Sequence, residues 1–489
     1  MSEFIFDKEI FRKKFIKGKA LRNIGKNPVS LNGCYSVCPI GSDKGNQFKG
    51  YSSIELLSDT IHNIKGEEIK EAKVKNIEDD LKKEIEKQVS FESDELKIVF
   101  EDIISSFYFD KRENLERNSI SLLQYQSAGV AKEFGKFVVE TLIEDKNKFL
   151  KVFKDDDNSL NTLVNKSYKE LKVLNEIKNI KEYTRIFGSE LEELIKLMNK
   201  DFEAALEGRN EIISDLEFLL TYYVFIYLSQ IAIRLDNDLE GNKTENSKVY
   251  FKLAKEPVSE DRECVRQGWK KVEKKSNKIF KHLIVLNMLN CHNADKPYLT
   301  YSGFYKIYAE HPEERKDMDD AIDYIINEYT IEHKYETDAS DKFVDFSSIQ
   351  KPQVGLEGKD LFKAKVKYLF NCVSFQLESK GTRKTVDTNV EKNYNYILKM
   401  RFVKSWGQLG NMLIISNEDL IRMIQICQRS TDYINDERGI QINDLFNEFD
   451  RRFLYFDGKT KQYIIDYLIN ANLIDSKCDS EEAQYVKKI

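Results

Sequence analysis

Between residues 219 and 233 the chain is apolar at most positions, and on either side of this run apolar residues recur every three or four places. That spacing is the mark of helices that bury one face. The run contains Thr221, Tyr222, Tyr223, Tyr227, Ser229 and Gln230 and is bounded by Asp215, Glu217 and Arg234. It falls short of the about 20 apolar residues that a bilayer span needs. The pattern therefore predicts a buried core helix over 212–239, ended by Asn237, Asp238 and Gly241, and no membrane contact. Upstream, Ile77, Leu81, Ile85 and Val89 repeat every four residues within a stretch of thirteen acidic and seven basic residues (67–102), which predicts one or two acidic amphipathic helices. Over 160–206, Leu163, Tyr168, Leu171, Leu174, Ile177, Leu191, Leu194 and Met198 keep a three/four spacing that breaks near Gly188. Paired helices inside a domain account for this better than a free coiled coil.

Proline is absent between Pro39 and Pro257, so long helices fit there without interruption, whereas six glycines in the first fifty residues predict a loop-rich start with short strands. Ser259 is a candidate N-cap, with Glu260 and Asp261 in the following turn, for a single helix running to about Cys291. Loops around a short helix (318–329) follow, then a helical block (361–378). Beyond a polar stretch ending near Val390 come an apolar segment (396–403), a turn at Gly407 and Gly410, and the run 412–415. The end of the chain reads as a helix capped by Ser416 (417–427), a short extended piece (440–442), a helix with Leu445, Phe446 and Phe449 on one face (443–453), and a third helix capped by Asp457 or Thr460. A strand, a polar turn (479–482) and a final strand close it. Helix, strand, helix, helix, hairpin is the order of a winged helix.

At 489 residues the chain exceeds a single core of ~250–300 residues. The predicted fold class is mainly α: a loop-rich segment (1–60), a multi-helix body (61–395) with a possible split near 241–258, and a C-terminal α+β winged-helix module (396–489). A net charge of −6 with 33% charged residues describes an ordinary globular chain and argues against wholesale coating of nucleic acid. Eight Lys or Arg lie between Lys8 and Lys26, but Asp7, Glu9 and the lack of serine there favour a solvated basic helix over a targeting peptide. Seven cysteines in so long a chain predict reduced thiols in a cytoplasmic protein.

Motifs that carry chemistry are sparse. The segment Gly41 to Gly45 lacks phosphate-loop spacing, and the five histidines form no metal motif. Cys291 and His292 adjoin, but neighbours on a helix point about 100° apart. Asp345, Glu357 and Lys359 loosely fit a metal-dependent nuclease, in which carboxylates hold Mg²⁺ and a lysine polarises the phosphate. No cofactor is predicted. The basic residues are more informative. Arg262, Arg266, Lys270, Lys274 and Lys278 recur every four residues beside the apolar stripe Val265, Trp269, Val272, Phe280 and Leu283. A four-residue step drifts about 40° around a helix, so these charges would spread over a face that DNA phosphates or an acidic partner could use. In the module, Lys459, Lys461 and Gln462 open the third helix and Lys477, Lys487 and Lys488 flank the wing, positions suited to a phosphate backbone. Glu481, Glu482 and Asp466 oppose that use, and winged helices also dock proteins.

One resemblance is specific. Trp406-Gly407-Gln408-Leu409-Gly410-Asn411, Ser416-Asn417-Glu418-Asp419-Leu420, Phe446-Asn447-Glu448-Phe449 with Phe456-Asp457, and Asn472-Leu473-Ile474 followed by residues 479–486 resemble the DptG (or DndG) family over 396–489. The chain departs from that family's ending at Cys478, Glu481 and Glu482, in the wing turn. The resemblance implies a non-catalytic subunit of DNA phosphorothioation-dependent restriction. It further implies work beside larger ATPase-type subunits against DNA lacking the modification, with direct DNA contact open.

Overall fold

In the computed structural model the described residues are 4–16, 39–40, 45–69, 77–109, 122, 124–127, 131–153, 159–171, 174–176, 183, 185–187, 191–208, 212–241, 247–291, 298–332, 345–378, 382–431, 439–474 and 484–489. The fold is mainly helical with small sheets. Its axis is the helix Ile212–Glu240, whose residues are buried around the whole circumference. By length and composition it would cross a bilayer, but 94% of its apolar window is buried inside the protein. A helix apolar on every side needs cover on every side. That cover comes from helices Ser53–Lys65, Glu192–Leu206, Trp269–Ser276, Ile279–Leu289, Tyr301–Glu310, Gly358–Glu378 and Thr382–Leu398.

Helix Ser53–Lys65 begins with a Ser52/Glu55 capping box and ends at Gly66 in the left-handed conformation, so its ends are chemically defined. It crosses Lys132–Thr141 so closely that a Cβ on Gly135 would lie 2.4 Å from the Asp59 carbonyl carbon. Asp59 is buried there with no cation among the described residues: Tyr51 Oη donates to it at 2.9 Å, Ser127 N at 3.0 Å, and the Ser127 hydroxyl donates as well.

Several expectations hold. The acidic stretch is two helices, Ile77–Glu86 and Asp94–Ile104. Ser416 caps Asn417–Ser430, and Asp457 caps Gly458–Asn470. Of the first sixty residues, expected to be loop-rich with short strands, the described part holds the helix Lys8–Phe11 and the start of Ser53–Lys65, and residues 17–38 and 41–44 lie outside the described residues. Other expectations are corrected. Ser159–Glu170 packs on Ile77–Glu86 in a satellite cluster, while Glu192–Leu206 packs on the central helix, so the two are not a pair. The polar stretch before Val390 is the helix Thr382–Leu398, held by Val390, Tyr394, Ile397 and Leu398. The supposed single helix after Ser259 is three: Glu263–Arg266, Trp269–Ser276 and Ile279–Leu289, the first N-capped by Arg262. Gly268 makes the first break, since a Cβ there would strike the Cys264 carbonyl at 2.2 Å and the Tyr250 carbonyl at 2.9 Å.

The strand Tyr250–Leu253 lies where the sequence allows a split of the body, and it is the centre of a four-stranded sheet. It pairs in parallel with Asn411–Ile415 on one side and Tyr455–Phe456 on the other, and Asn411–Ile415 pairs antiparallel with Val403–Ser405. Phe251 and Leu253 face the main core, and Tyr250 faces a small cluster with Cys264, Val265, Met412 and Ile414. The C-terminal module keeps the winged-helix order. Ile440–Gln441 pairs with Tyr485–Val486, and Ile474 bridges to Val486. With the added strand Tyr455–Phe456, between the second and third module helices, residues 396–489 supply three strands of this sheet and the body supplies its central strand.

Arg452 joins the two parts further. All five of its N–H groups are used: Nε and Nη2 on Asp201 at 2.8 and 2.7 Å, Nη1 on the Glu448 carboxylate and carbonyl, and Nη2 on Ser430 Oγ. Arg452→Ala strands a fully buried carboxylate and is expected to cost about 3–5 kcal/mol, read from urea unfolding. A second expectation concerns pH. Burial raises the Asp59 carboxyl to about 7 despite the hydrogen bonds from Ser127 and Tyr51. The folded state thus holds that proton more tightly than the unfolded chain. The associated stability is complete below pH ~4 and is lost as pH rises through about 7. Unfolding midpoints measured from pH 4 to 8 should decline for the parent and decline less for Asp59→Asn.

Candidate nucleic-acid interface

Of the five regularly spaced basic residues after Ser259, the first turns inward. Arg262 donates from Nε to Asp457 Oδ2 at 3.0 Å, and from Nη2 to Glu256 Oε1 at 2.6 Å, Thr460 Oγ1 at 2.8 Å and Asp457 Oδ1. Asp457 also accepts from Thr460 N at 2.9 Å, which makes it the N-cap of the third module helix. Burial lifts the Asp457 carboxyl, but the Arg262 hydrogen bonds outweigh this and hold it at about 2. Glu256 in turn accepts from Leu253 N, and its carbonyl takes Lys252 Nζ, whose ammonium stands 3.6 Å from the centre of the Trp406 ring. Arg262 is thus a bolt between the body and the module, and the amide end of the third helix is closed by side chains of the protein itself.

Breaking the long helix redistributes the rest. Lys278 donates to Asp236 at 2.7 Å, alongside Lys275; the same carboxylate lies 3.6 Å from His282 Nε2. Burial raises the Asp236 carboxyl, but the bonds from His282, Lys275 and Lys278 hold it far below the ordinary range. Within the module, Lys461 lies over the Phe446 ring at 5.0 Å, Gln462 donates to Asp466 at 2.9 Å, and Lys487 reaches the Asn472 carbonyl at 3.3 Å. Lys488 is exposed, and Lys477 falls outside the described residues.

Arg266, Lys270, Lys274 and Lys459 remain exposed and make no ion pair with the described residues. Arg266 and Lys459 both act on the exposed Asp261 carboxyl, which Ser259 and a backbone amide already lower and which these two cations lower further. Lys248, which no spacing pointed to, joins this region by long-range contact. Its ammonium lies over the Tyr455 ring at 5.1 Å, its carbonyl accepts from Lys271 Nζ at 2.9 Å, and its charge and that of Lys461 both reach Asp450. Burial and the neighbouring Lys275 bring the Lys271 ammonium down to about 8, so it adds only part of a charge in mildly alkaline solution. Long, exposed cations give this surface the chemistry to hold an anionic backbone; Asp261, Asp450 and Asp466 keep it from being uniformly positive.

The nuclease candidates are placed differently. Asp345 caps the short turn Phe346–Ser348 by accepting from Ser347 N at 2.9 Å, and Glu357 and Lys359 are exposed at the start of Gly358–Glu378. Among the described residues no three His, Cys, Asp or Glu are grouped so as to hold a metal ion. Cys291 donates to the Asn287 carbonyl, and its neighbour His292 lies outside the described residues.

Compared with models of protein families and with curated proteins, the chain matches none.

The geometry separates structural from available cations. Arg262→Ala should lower unfolding stability by about 3–5 kcal/mol, because it leaves Asp457 and Glu256 buried without their partner. Arg266→Ala, Lys270→Ala and Lys274→Ala should leave the urea midpoint unchanged, as is usual for exposed positions without partners.

Proposed function

We propose that this chain is a non-catalytic, cytoplasmic subunit of a DNA phosphorothioation-dependent restriction assembly. It holds larger ATPase-type subunits on its helical body and touches DNA through the surface shared by the body and the C-terminal module. The observation that carries the reading is a winged-helix order in the module, with Lys459 at the start of its third helix acting, like Arg266 of the body, on Asp261, and both outside any ion pair with the described residues. In DNA-binding winged helices the third helix enters the major groove. Here its amide end is occupied by Asp457 and Arg262, so the side chains of Arg266, Lys270, Lys274 and Lys459 carry the contact. Such contacts are made to phosphate and are insensitive to sequence. The resemblance of 396–489 to the DptG family narrows the class of machinery; the arrangement of cations supports only the DNA contact.

Two measurements test this. Affinity purification from the native host, with and without nuclease, should recover large ATPase subunits in both cases; recovery of DNA-bound proteins that nuclease removes would overturn the subunit reading. Binding of the purified chain to a duplex should weaken with salt, and Arg266→Ala/Lys270→Ala/Lys274→Ala/Lys459→Ala should reduce the log–log salt slope by roughly 0.9 for each phosphate that these cations neutralise in the parent. A slope unchanged in that variant would remove these residues from any DNA interface.

A further inference from the structure

Helix Asp94–Ile104 and the π-helical turn Ser105–Phe109 are apolar on two faces. One face, with Phe100, Ile104 and Tyr108, closes a satellite cluster against Ile77, Leu81, Ile85, Val164 and Tyr168. The other is uncovered: Leu96, Val99, Ile103 and Phe107 follow one another at steps of three, four and four and are 50, 54, 38 and 45% exposed, with Ile98 beside them at 58%. Five of the eleven large hydrophobic side chains exposed among the described residues therefore lie between positions 96 and 107. The satellite cluster is already closed without them. Scattered exposed hydrophobics need no explanation, but a contiguous stripe bordered by polar groups marks an interaction surface.

The border has one sign. Residues 91–109 hold five carboxylates and a single cation, Lys97. Lys97 is bound to Glu86 at 3.0 Å and faces Glu101 at 3.8 Å, whereas Glu92, Asp94, Glu95 and Asp102 are exposed. We propose that this stripe is the docking site for a protein partner whose apolar surface, an amphipathic helix or a groove, is bordered by Lys and Arg. Charge complementarity selects that occupant. A two-fold contact with a second copy would set the acidic border against itself, and nucleic acid or an anionic membrane would meet the same repulsion. The inference does not rest on the restriction-subunit reading.

The test uses the intact chain and two labelled helical peptides of about 18 residues with the same leucine stripe, one flanked by Lys and the other by Glu. Fluorescence anisotropy should show binding of the Lys-flanked peptide at least about tenfold tighter than its Glu-flanked counterpart. Leu96→Ser/Val99→Ser/Ile103→Ser/Phe107→Ser should lower that affinity by a similar factor. Should that variant fold poorly by circular dichroism, Glu92→Lys/Glu95→Lys/Asp102→Lys, which alters only exposed carboxylates, should reverse the preference between the peptides. Equal affinity for both peptides, or a preference untouched by the charge reversal, overturns the proposal. So does self-association of the parent that the serine variant loses, or binding of the parent to phosphatidylserine vesicles through these residues.

Discussion

A helix that is apolar around its whole circumference cannot lie on a surface, and the architecture follows from hiding Ile212–Glu240. Seven helices among the described residues surround it, and several of its polar groups are answered from distant parts of the chain. Tyr222 donates to the Arg452 carbonyl, Tyr223 to Asp201, and Asp215 receives Arg422 at 2.7 Å and Arg429 at 3.3 Å. Arg401 adds a bidentate contact to Asp419 and approaches Glu217 at 3.8 Å. Removing water from so many charged groups costs several kcal/mol per ion unless each finds its partners. Their geometry therefore fixes where the C-terminal helices sit on the central one.

This gives the winged-helix order an uncommon setting. The module shares the main core, supplies three of the four strands of the sheet centred on Tyr250–Leu253, and is held to the body through Arg262, Arg422 and Arg452. The polar first turn of its third helix serves this attachment. Cations of both parts act on the same carboxylates, Arg266 and Lys459 on Asp261 and Lys248 and Lys461 on Asp450. On the proposed reading, a surface assembled from two parts of the chain would orient DNA against the body as a tethered domain would not.

What the sequence made legible was local. The core helix, the two acidic helices and the caps at Ser416 and Asp457 follow from spacing and from side chains that act within one turn. What escaped depends on contacts far along the chain. Gly268 interrupts a good helical pattern because the Tyr250 carbonyl passes beside it. Thr382–Leu398 is helical although polar because Tyr394 reaches the Leu228 carbonyl and Asn393 accepts from Gln47 N. Arg262 continues the four-residue spacing of Arg266 and Lys270, yet it is buried by Glu256 and Asp457, the latter 195 positions away. Periodicity identifies a charged face only while the helix carrying it stays whole.

Shared core, shared sheet and buried arginines together make the module and the body one structural unit. Hydrogen exchange of the intact chain across a urea series tests this most directly, since units that open separately show separate free energies and denaturant dependences. The slowest amides of Asn417–Ser430 and Ile442–Arg451 should open in the same step as those of Ile212–Glu240, with the same urea dependence. Module amides that exchange through a smaller opening, while the central helix stays protected, would contradict it.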